Sequence, residues 1–192
     1  MELTNRKGVG LMAVGMLLLA VSLFLALHYV MDEWRSSGYA SSALAVMEEA
    51  EASGTFTTGE NGEPAVQANG KLYIGTLTIP ALEMEMPILE KYDFHSRKMG
   101  PSLYYGSPEG DRMVIGGYNF QGHFAPLKKL SAGDEVLYTT LEGKTLRYQV
   151  ASTEILKPSQ VEEMVGSGYG LTLFTSTTGG NSRLAIRCEA SQ

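Results

Sequence analysis

Cysteine is almost absent from this sequence, since Cys188 is the only one among 192 residues. A single thiol cannot form a disulfide within the chain. Apolar residues make up 44% of the sequence, which is enough to build a core and argues against global disorder. The length suits one ordinary domain with an accessory segment.

Long runs of basic residues are also missing. No run of lysine and arginine exceeds two residues, as at Arg6-Lys7 and Lys128-Lys129, and the formal net charge is -6. Proteins that bind nucleic acids usually carry a basic patch or stripe. We therefore expect no nucleic-acid partner.

Residues 8–31 lack charged side chains altogether. They read "GVGLMAVGMLLLAVSLFLALHYVM", and as a helix they would extend over roughly 36 Å, enough to span a bilayer core of about 30 Å. A cleaved signal peptide would have a shorter apolar region followed by a small-residue cleavage site, whereas the charged stretch 32–35 follows here. We therefore predict an uncleaved, single-pass transmembrane anchor over residues 8–31.

The charges on either side of this apolar segment predict its orientation. Arg6 and Lys7 precede the segment, and Asp32 and Glu33 follow it. By the positive-inside rule, residues 1–7 form a cytoplasmic tail and the C-terminal remainder of the chain is extracellular.

Two segments of different composition follow the apolar stretch. Residues 36–53 are rich in Ala, Glu, Met and Leu, which predicts a helix. Residues 54–70 are rich in Gly, Thr, Asn and Pro, which predicts a linker or an exposed loop. We assign residues 32–70 to a helical stalk and linker, and residues 71–192 to a separate β domain.

From residue 71 onward the sequence is typical of short β-strands. Residues 82–89, "LEMEMPIL", place apolar side chains on one face and glutamates on the other. Residues 134–153 hold two strand-like runs joined by the turn "LEGK", which indicates a hairpin. Further strand-like runs occupy residues 71–80, 112–117, 171–176 and 182–189. Because long helical crossovers are absent, we predict a mainly β fold, a small barrel or sandwich with an antiparallel or mixed sheet.

Two short helices are predicted within this β domain. The stretch "HFAPLKKL" is long enough for one or two turns. The stretch "PSQVEEMV" carries a capping box, in which Ser159 would cap the helix and Glu162, three residues later, would reciprocate.

Polar residues stand at the ends of three strand-like runs, where loops often carry functional groups. The runs are "VIGGYNFQGHFAPLKKL" (114–130), "LTLFTSTTGG" (171–180) and "NSRLAIRCE" (181–189). Together with "YIGTLTIP" and "LSAGDEVLYTT", they resemble the sortases, membrane-anchored cysteine transpeptidases of Gram-positive bacteria. In that family one strand ends in Gly-His-Asn or a similar motif, a later strand ends in T-L-x-T-C, and an arginine follows. The resemblance covers roughly residues 71–189 and rests on five motifs in the family's order.

The resemblance implies an extracellular, sortase-type eight-stranded β-barrel. It implies as partners a sorting-signal peptide of a surface protein or pilin, with an LPxTG-like C-terminal motif, and an amine acceptor from the cell wall or a pilin. In an intact site a cysteine thiolate would attack the Thr–Gly carbonyl, a histidine would protonate the leaving amine, and an arginine would hold the oxyanion. An active partner sortase is a further partner that the resemblance allows.

This sequence departs from the family pattern at two of the three catalytic positions. Ser176 stands at the position of the nucleophilic cysteine and Tyr118 at that of the histidine, whereas Arg183 matches the arginine. A cysteine with a pKa of about 8.5 supplies thiolate near neutral pH. A serine hydroxyl needs a positioned base, and a phenol with a pKa of about 10 is a poor base near pH 7. We therefore predict a sortase-family protein with impaired catalysis, a pseudoenzyme.

Two other interpretations are open. The sequence would then be the active-site-substituted form of a working cysteine transpeptidase, or Ser176 would be the nucleophile of a serine-dependent transpeptidase or hydrolase with His123 as its base. The structural alternative for His123 is a hydrogen-bonded loop residue. Loss of peptide binding would instead indicate a purely structural anchored barrel.

Alternation along "SRLAIRCE" separates two kinds of side chain. Arg183 and Arg187 share one face, and Leu184, Ile186 and Cys188 share the other. The second face is apolar, so we predict that Cys188 is a buried filler and not a displaced nucleophile. Arg183 would either stabilise an oxyanion, as in the family, or face solvent.

The resemblance also places Asn119, His123 and Thr175 at substrate-binding positions. Glu162 and Glu163 correspond to the region of a calcium-responsive loop in some sortases, but adjacent carboxylates on a capped helix are more often a solvated face. We therefore assign no metal and no cofactor. The class is left open, because "SRLAIRC" is similar to class B sortases, yet the long helix typical of many class B members is missing.

Overall fold

The computed structural model describes residues 2–93, 96 and 98–191, apart from the side chains of residues 2–7, 32–33 and 36–37. The chain divides into two compact units, Met1–Arg35 and Ser36–Gln192. Helix α1 comprises Glu2–Ser53. Its segment Gly8–Met31 has a mean hydropathy of 2.5 and none of it is buried, so by length and composition it is a candidate membrane span.

The second unit is built mainly from strands. In the described part of the chain, the strands are β1 (Thr57–Thr58), β2 (Pro64–Ala68), β3 (Lys71–Ile79), β4 (Met84–Leu89), β5 (Ser102–Gly106), β6 (Met113–Gly116), β7 (Glu135–Thr140), β8 (Thr145–Leu156), β9 (Leu171–Ser176) and β10 (Arg183–Ala190). The short helices between them are two 3₁₀ helices, Pro80–Leu82 and Ala125–Lys129, and helix α2, Val161–Val165.

Eight of the described strands close into a barrel. Their order is β3-β4-β5-β6-β9-β10-β8-β7, and β7 pairs back with β3. The β4–β5 and β6–β9 pairs are parallel, and the other neighbours are antiparallel. The predicted eight-stranded sortase-type barrel with a mixed sheet is therefore confirmed.

Alternating apolar side chains fill the barrel interior. The main core takes Met86 and Ile88 from β4, Leu173 from β9, and Ile186 and Cys188 from β10. Side chains on a strand point alternately to its two faces, and the sequence pattern had correctly grouped Met86 with Ile88 and Ile186 with Cys188 on apolar faces. Cys188 is fully buried, and burial raises the pKa of its thiol to about 12.

Residues 36–70 contribute to the compact β unit and do not form a simple stalk and linker. Ala43, Met47 and Ala50 recur at helical spacing and are buried in a second apolar cluster together with Val66 of β2. The stretch 54–70 was predicted to be a linker, but Pro64–Ala68 within it pairs antiparallel with β3.

The structure also differs from the sequence analysis at one strand and at one helix cap. Strand β5 was not predicted from the sequence. Helix α2 begins at Val161, and its N-cap residue Gln160 makes no side-chain capping hydrogen bond. The predicted Ser159 capping box is wrong because Gln160 Oε1 instead accepts a 2.8 Å hydrogen bond from the Lys157 amide and closes the preceding turn.

Candidate active site

Ser176 ends strand β9 on the outer face of the barrel. Leu171 and Leu173 of this strand lie in the interior core, whereas Phe174 belongs to an apolar cluster on the outer face. Since side chains alternate along a strand, Ser176 shares the outer face with Phe174, and it is half-buried. Its hydroxyl is therefore placed to meet a molecule bound outside the barrel.

Arg183 lies directly opposite Ser176. The two residues are register partners in the antiparallel β9–β10 ladder, so their side chains share a face. Nη1 of Arg183 donates hydrogen bonds to the Gly180 carbonyl (3.2 Å) and the Ser182 carbonyl (3.1 Å). These bonds tie the guanidinium to the loop that joins β9 and β10, and no carboxylate pairs with it among the described residues.

Tyr118 follows the strand that runs parallel to β9. Gly116 of β6 is the register partner of Phe174, and the Gly117 amide donates a 3.0 Å hydrogen bond to the Phe174 carbonyl. Tyr118 is two residues beyond Gly116, as Ser176 is two residues beyond Phe174. The ends of β6 and β9 therefore bring Tyr118 and Ser176 to the same edge of the barrel.

Two glycines allow aromatic rings to pack closely around this edge. A Cβ on Gly116 would lie 2.6 Å from the Phe174 ring and 2.7 Å from the Tyr92 ring. A Cβ on Gly117 would overlap the Phe124 ring. Any larger residue at either position would displace a ring, which accounts for the Gly-Gly pair before Tyr118.

An aromatic cluster lies next to Ser176 on the outer face. The ring centroids of Tyr92 and Tyr104 are 5.2 Å apart, those of Tyr104 and Phe174 are 5.2 Å apart, and those of Tyr92 and Phe174 are 5.9 Å apart. Such separations are typical of favourable aromatic pairs. The cluster gives the outer face an apolar floor beside a hydroxyl and a cation.

The loop after β6 holds Asn119 and His123. The Phe124 amide donates a 3.1 Å hydrogen bond to the Tyr118 carbonyl, and the Tyr118 and Phe120 ring centroids are 4.3 Å apart, so the loop folds back on itself. Asn119 is half-buried within this loop. His123 is only 1% exposed, and burial lowers its pKa to about 4. Its imidazole is therefore neutral at pH 7 and a weak base.

The buried His123 should make stability depend on pH. Its pKa is about 4 in the folded chain and about 6.5 when unfolded, so between these values the unfolded chain binds more protons. Stability is therefore complete above pH 6.5 and falls as the pH drops towards 4, by about 3 kcal/mol at most. The free energy of unfolding is measured with urea on the full chain in detergent at pH 7.5 and at pH 4.5. In the neutral variant His123→Gln, the loss of stability caused by His123 between these two pH values should be absent. Equal pH dependence in both proteins would contradict the assignment.

Thr175 does not join the outer-face groups. Its side chain is 2% exposed and points into the barrel, and its Oγ1 has no hydrogen-bond partner among the described residues. Direct contact of this side chain with a bound peptide does not agree with that burial. The structure thus brings Ser176, Arg183 and Tyr118 to one edge of the barrel, whereas the side chains of Thr175 and His123 are buried.

The fold is a closed β-barrel in which Ser176 and Arg183 face each other at the ends of adjacent strands. The Sortase domain model matches residues 77–191, which is more than half of the chain. The chain therefore belongs to the sortase family. No curated protein gives a significant match.

Solved structures of sortases share the fold. Sortase C1 from Streptococcus suis is 26% identical, with 62% of this chain and 73% of that chain covered and a TM-score of 0.56. The pilus-related sortase C of Group B Streptococcus is 24% identical, with coverages of 66% and 70% and a TM-score of 0.57. Sortase C from Clostridium perfringens SM101 is 19% identical, with coverages of 81% and 90% and a TM-score of 0.57.

Sequence reasoning did not identify all the residues that shape the site. Tyr92 and Tyr104 were not singled out, although "SLYYG" combines aromatic residues with a terminal glycine, which is a strand signal. Arg187 was placed on the same face as Arg183, but its burial was not foreseen. It is 1% exposed because α2 covers it.

Proposed function

We propose that this chain is a sortase-family protein that binds an LPxTG-like sorting-signal peptide but forms no covalent intermediate at a useful rate. The observation that carries the proposal is the cross-strand pair of Ser176 and Arg183, with Tyr118 at the same edge of the barrel. This arrangement keeps the position of each catalytic group while changing the chemistry of two of them.

The outer face retains features that suit peptide binding. A half-buried hydroxyl and a guanidinium stand beside the aromatic cluster of Tyr92, Tyr104 and Phe174. Ligand sites typically combine an apolar floor with a few convergent polar groups that fix orientation. A peptide backbone carbonyl placed over Ser176 would lie on the face of the β9–β10 ladder that Arg183 shares.

Catalysis is impaired because neither side chain near Arg183 supplies the required proton chemistry. Ser176 needs a base to become a nucleophile, and a tyrosine phenol does not serve as one near pH 7. His123 is buried, and its pKa of about 4 makes it a weak base. These observations favour the pseudoenzyme over a serine-dependent enzyme.

The membrane arrangement and the partners belong to the same proposal. Arg6 and Lys7 before the candidate span Gly8–Met31 support a cytoplasmic N-terminus and a barrel on the outer face of a Gram-positive membrane. One similar structure is described as a pilus-related sortase, which supports pilins, besides other surface proteins, as the source of the peptide. The amine acceptor of the cell wall or pilin, or an active partner sortase, would then complete the attachment.

Peptide binding tests this proposal directly. Full-length chain in detergent is titrated into labelled LPxTG-like and scrambled peptides, and fluorescence anisotropy and mass spectrometry follow binding and cleavage. We expect binding at least about tenfold tighter than to the scrambled peptide, a difference of about 1.4 kcal/mol, without cleavage. Equal affinity for both peptides would indicate a structural barrel. Cleavage that Ser176→Ala abolishes would indicate a serine enzyme.

A further inference from the structure

We propose that Arg187 and Arg112 are positioning residues that clamp helix α2 in place as one wall of the peptide site. The inference rests on the proposed function in one respect only, that the outer face next to Ser176 binds a peptide. The clamp itself is carried by the contacts of the two arginines with the α2 backbone.

Arg187 is a fully buried cation that makes four hydrogen bonds and an ion pair. Its Nε donates to Glu154 Oε2 (2.9 Å), its Nη1 to the Met164 carbonyl (3.0 Å) and Thr172 Oγ1 (3.1 Å), and its Nη2 to the Glu163 carbonyl (2.8 Å). Nη2 also lies 2.9 Å from Glu154 Oε2. A guanidinium has five N–H donors in a rigid fork, and five partner contacts are present.

The arginines satisfy carbonyls that so short a helix leaves without partners. The last four carbonyls of a helix accept no hydrogen bond from within the helix. Here the carbonyls of Glu163 and Met164 accept from Arg187, and the Val165 carbonyl accepts a 3.3 Å hydrogen bond from Nη1 of Arg112. Three consecutive carbonyls are thus held by side chains from two separate parts of the barrel.

Arg187 and the candidate active site lie on the same face of the β9–β10 ladder. Three successive cross-strand pairs share this outer face: Ser176 with Arg183, Phe174 with Ala185, and Thr172 with Arg187. Met164 of α2 is buried in the apolar cluster that contains the middle pair. Helix α2 therefore begins to cover the face one pair away from Ser176, where it can bound a peptide lying over that residue.

Because Arg187 is buried, separating its guanidinium from its partners on helix α2 would cost free energy. Arg187 is 1% exposed, and its carboxylate partner Glu154 is 42% exposed at the edge. A buried charge is tolerated only when it is paired and hydrogen-bonded. Loss of the carbonyls of Glu163 and Met164 would leave two donors of Arg187 unsatisfied, so the guanidinium favours the docked position of the helix.

Hydrogen–deuterium exchange of the full-length chain in detergent, without peptide, tests the clamp. The amides of Met164 and Gly166 donate within α2, so they report whether that helix is formed. We expect Arg187→Met to raise their exchange at least about tenfold, and Arg112→Met about threefold, since Arg112 contributes a single bond. Arg147→Met, at an exposed strand arginine, is the matched control and should leave α2 exchange unchanged. Unchanged exchange in both clamp variants would overturn the proposal.

Two further measurements separate the clamp from general destabilisation and from the proposed function. Arg112→Met keeps the buried charge of Arg187, so it should fold even if Arg187→Met does not, and it should weaken LPxTG-like peptide binding about threefold at unchanged thermal midpoint. Arg187→Lys retains the charge but not the fork, and should restore only part of the protection. If α2 exchange rises but the parent chain binds no peptide, the clamp stands and the proposed function fails. If peptide binds and α2 exchange is unaffected, the clamp fails.

Discussion

The combined variant Tyr118→His, Ser176→Cys is expected to cleave an LPxTG-like peptide about 10³-fold faster than the chain as given, or more. The reason is the proton chemistry of the two positions. The introduced thiol would ionise near neutral pH and the introduced imidazole would raise its thiolate fraction and protonate the leaving amine. Arg183 already lies opposite residue 176 in the β9–β10 ladder. Cleavage of the full-length chain in detergent is followed by mass spectrometry at pH 7.5.

The single variants are the sharpest controls for this result. Groups that act as a unit contribute non-additively, so Ser176→Cys alone and Tyr118→His alone should each remain within about tenfold of the background. Alkylation gives a second readout, because Cys188 is buried with a pKa of about 12 and only the introduced thiol should react. A combined variant that alkylates readily, does not cleave and binds the LPxTG-like and scrambled peptides equally would show that the peptide site is lost, and the proposed function would be wrong.

Strand pattern alone was sufficient for most of the barrel. The alternation in "LEMEMPIL" assigned Met86 and Ile88 to the interior, and both are buried in the main core. The hairpin signature of residues 134–153 corresponds to the antiparallel pair β7–β8. These predictions succeed because a period of two residues reflects burial on one face of a strand, which is a local property of the sequence.

Other elements depend on contacts between distant residues. Strand β2 lies in a segment whose Gly and Pro content indicated a loop, and it exists because it pairs with β3 and because Ala43 and Met47 of α1 pack in the same cluster as its Val66. Ser159 matched a capping pattern, but Gln160 made the competing hydrogen bond. Composition describes the segment, whereas tertiary pairing decided its conformation.

The candidate site shows the same division. Motif order placed Ser176, Tyr118 and Arg183 in one site, and the structure brings them to one edge of the barrel. The burial of Arg187 depends on carbonyls of Glu163 and Met164, more than twenty residues earlier in the sequence. An alternating strand that carries two arginines reads locally as a solvent-exposed face, so no local pattern could indicate this clamp.

Arg183→Ala in the combined Tyr118→His, Ser176→Cys background is expected to lower kcat by about 10²–10³-fold and to change the peptide Kd by less than about threefold. An oxyanion donor acts mainly when negative charge develops on the attacked carbonyl, so its removal affects the transition state more than the bound peptide. Single-turnover cleavage and anisotropy titration separate the two quantities.

The matched control is Arg147→Ala. Arg147 is an exposed arginine of strand β8, and it pairs with Glu135 of β7, whereas β10, which carries Arg183, lies on the other side of β8. This substitution should change neither kcat nor Kd by more than about twofold, because exposed ion pairs contribute little. If Arg183→Ala weakens peptide binding as much as it slows cleavage, Arg183 binds the ground state. Its guanidinium would then be an anchor for the peptide in the present chain as well, where Ser176 stands opposite it and no oxyanion needs to form.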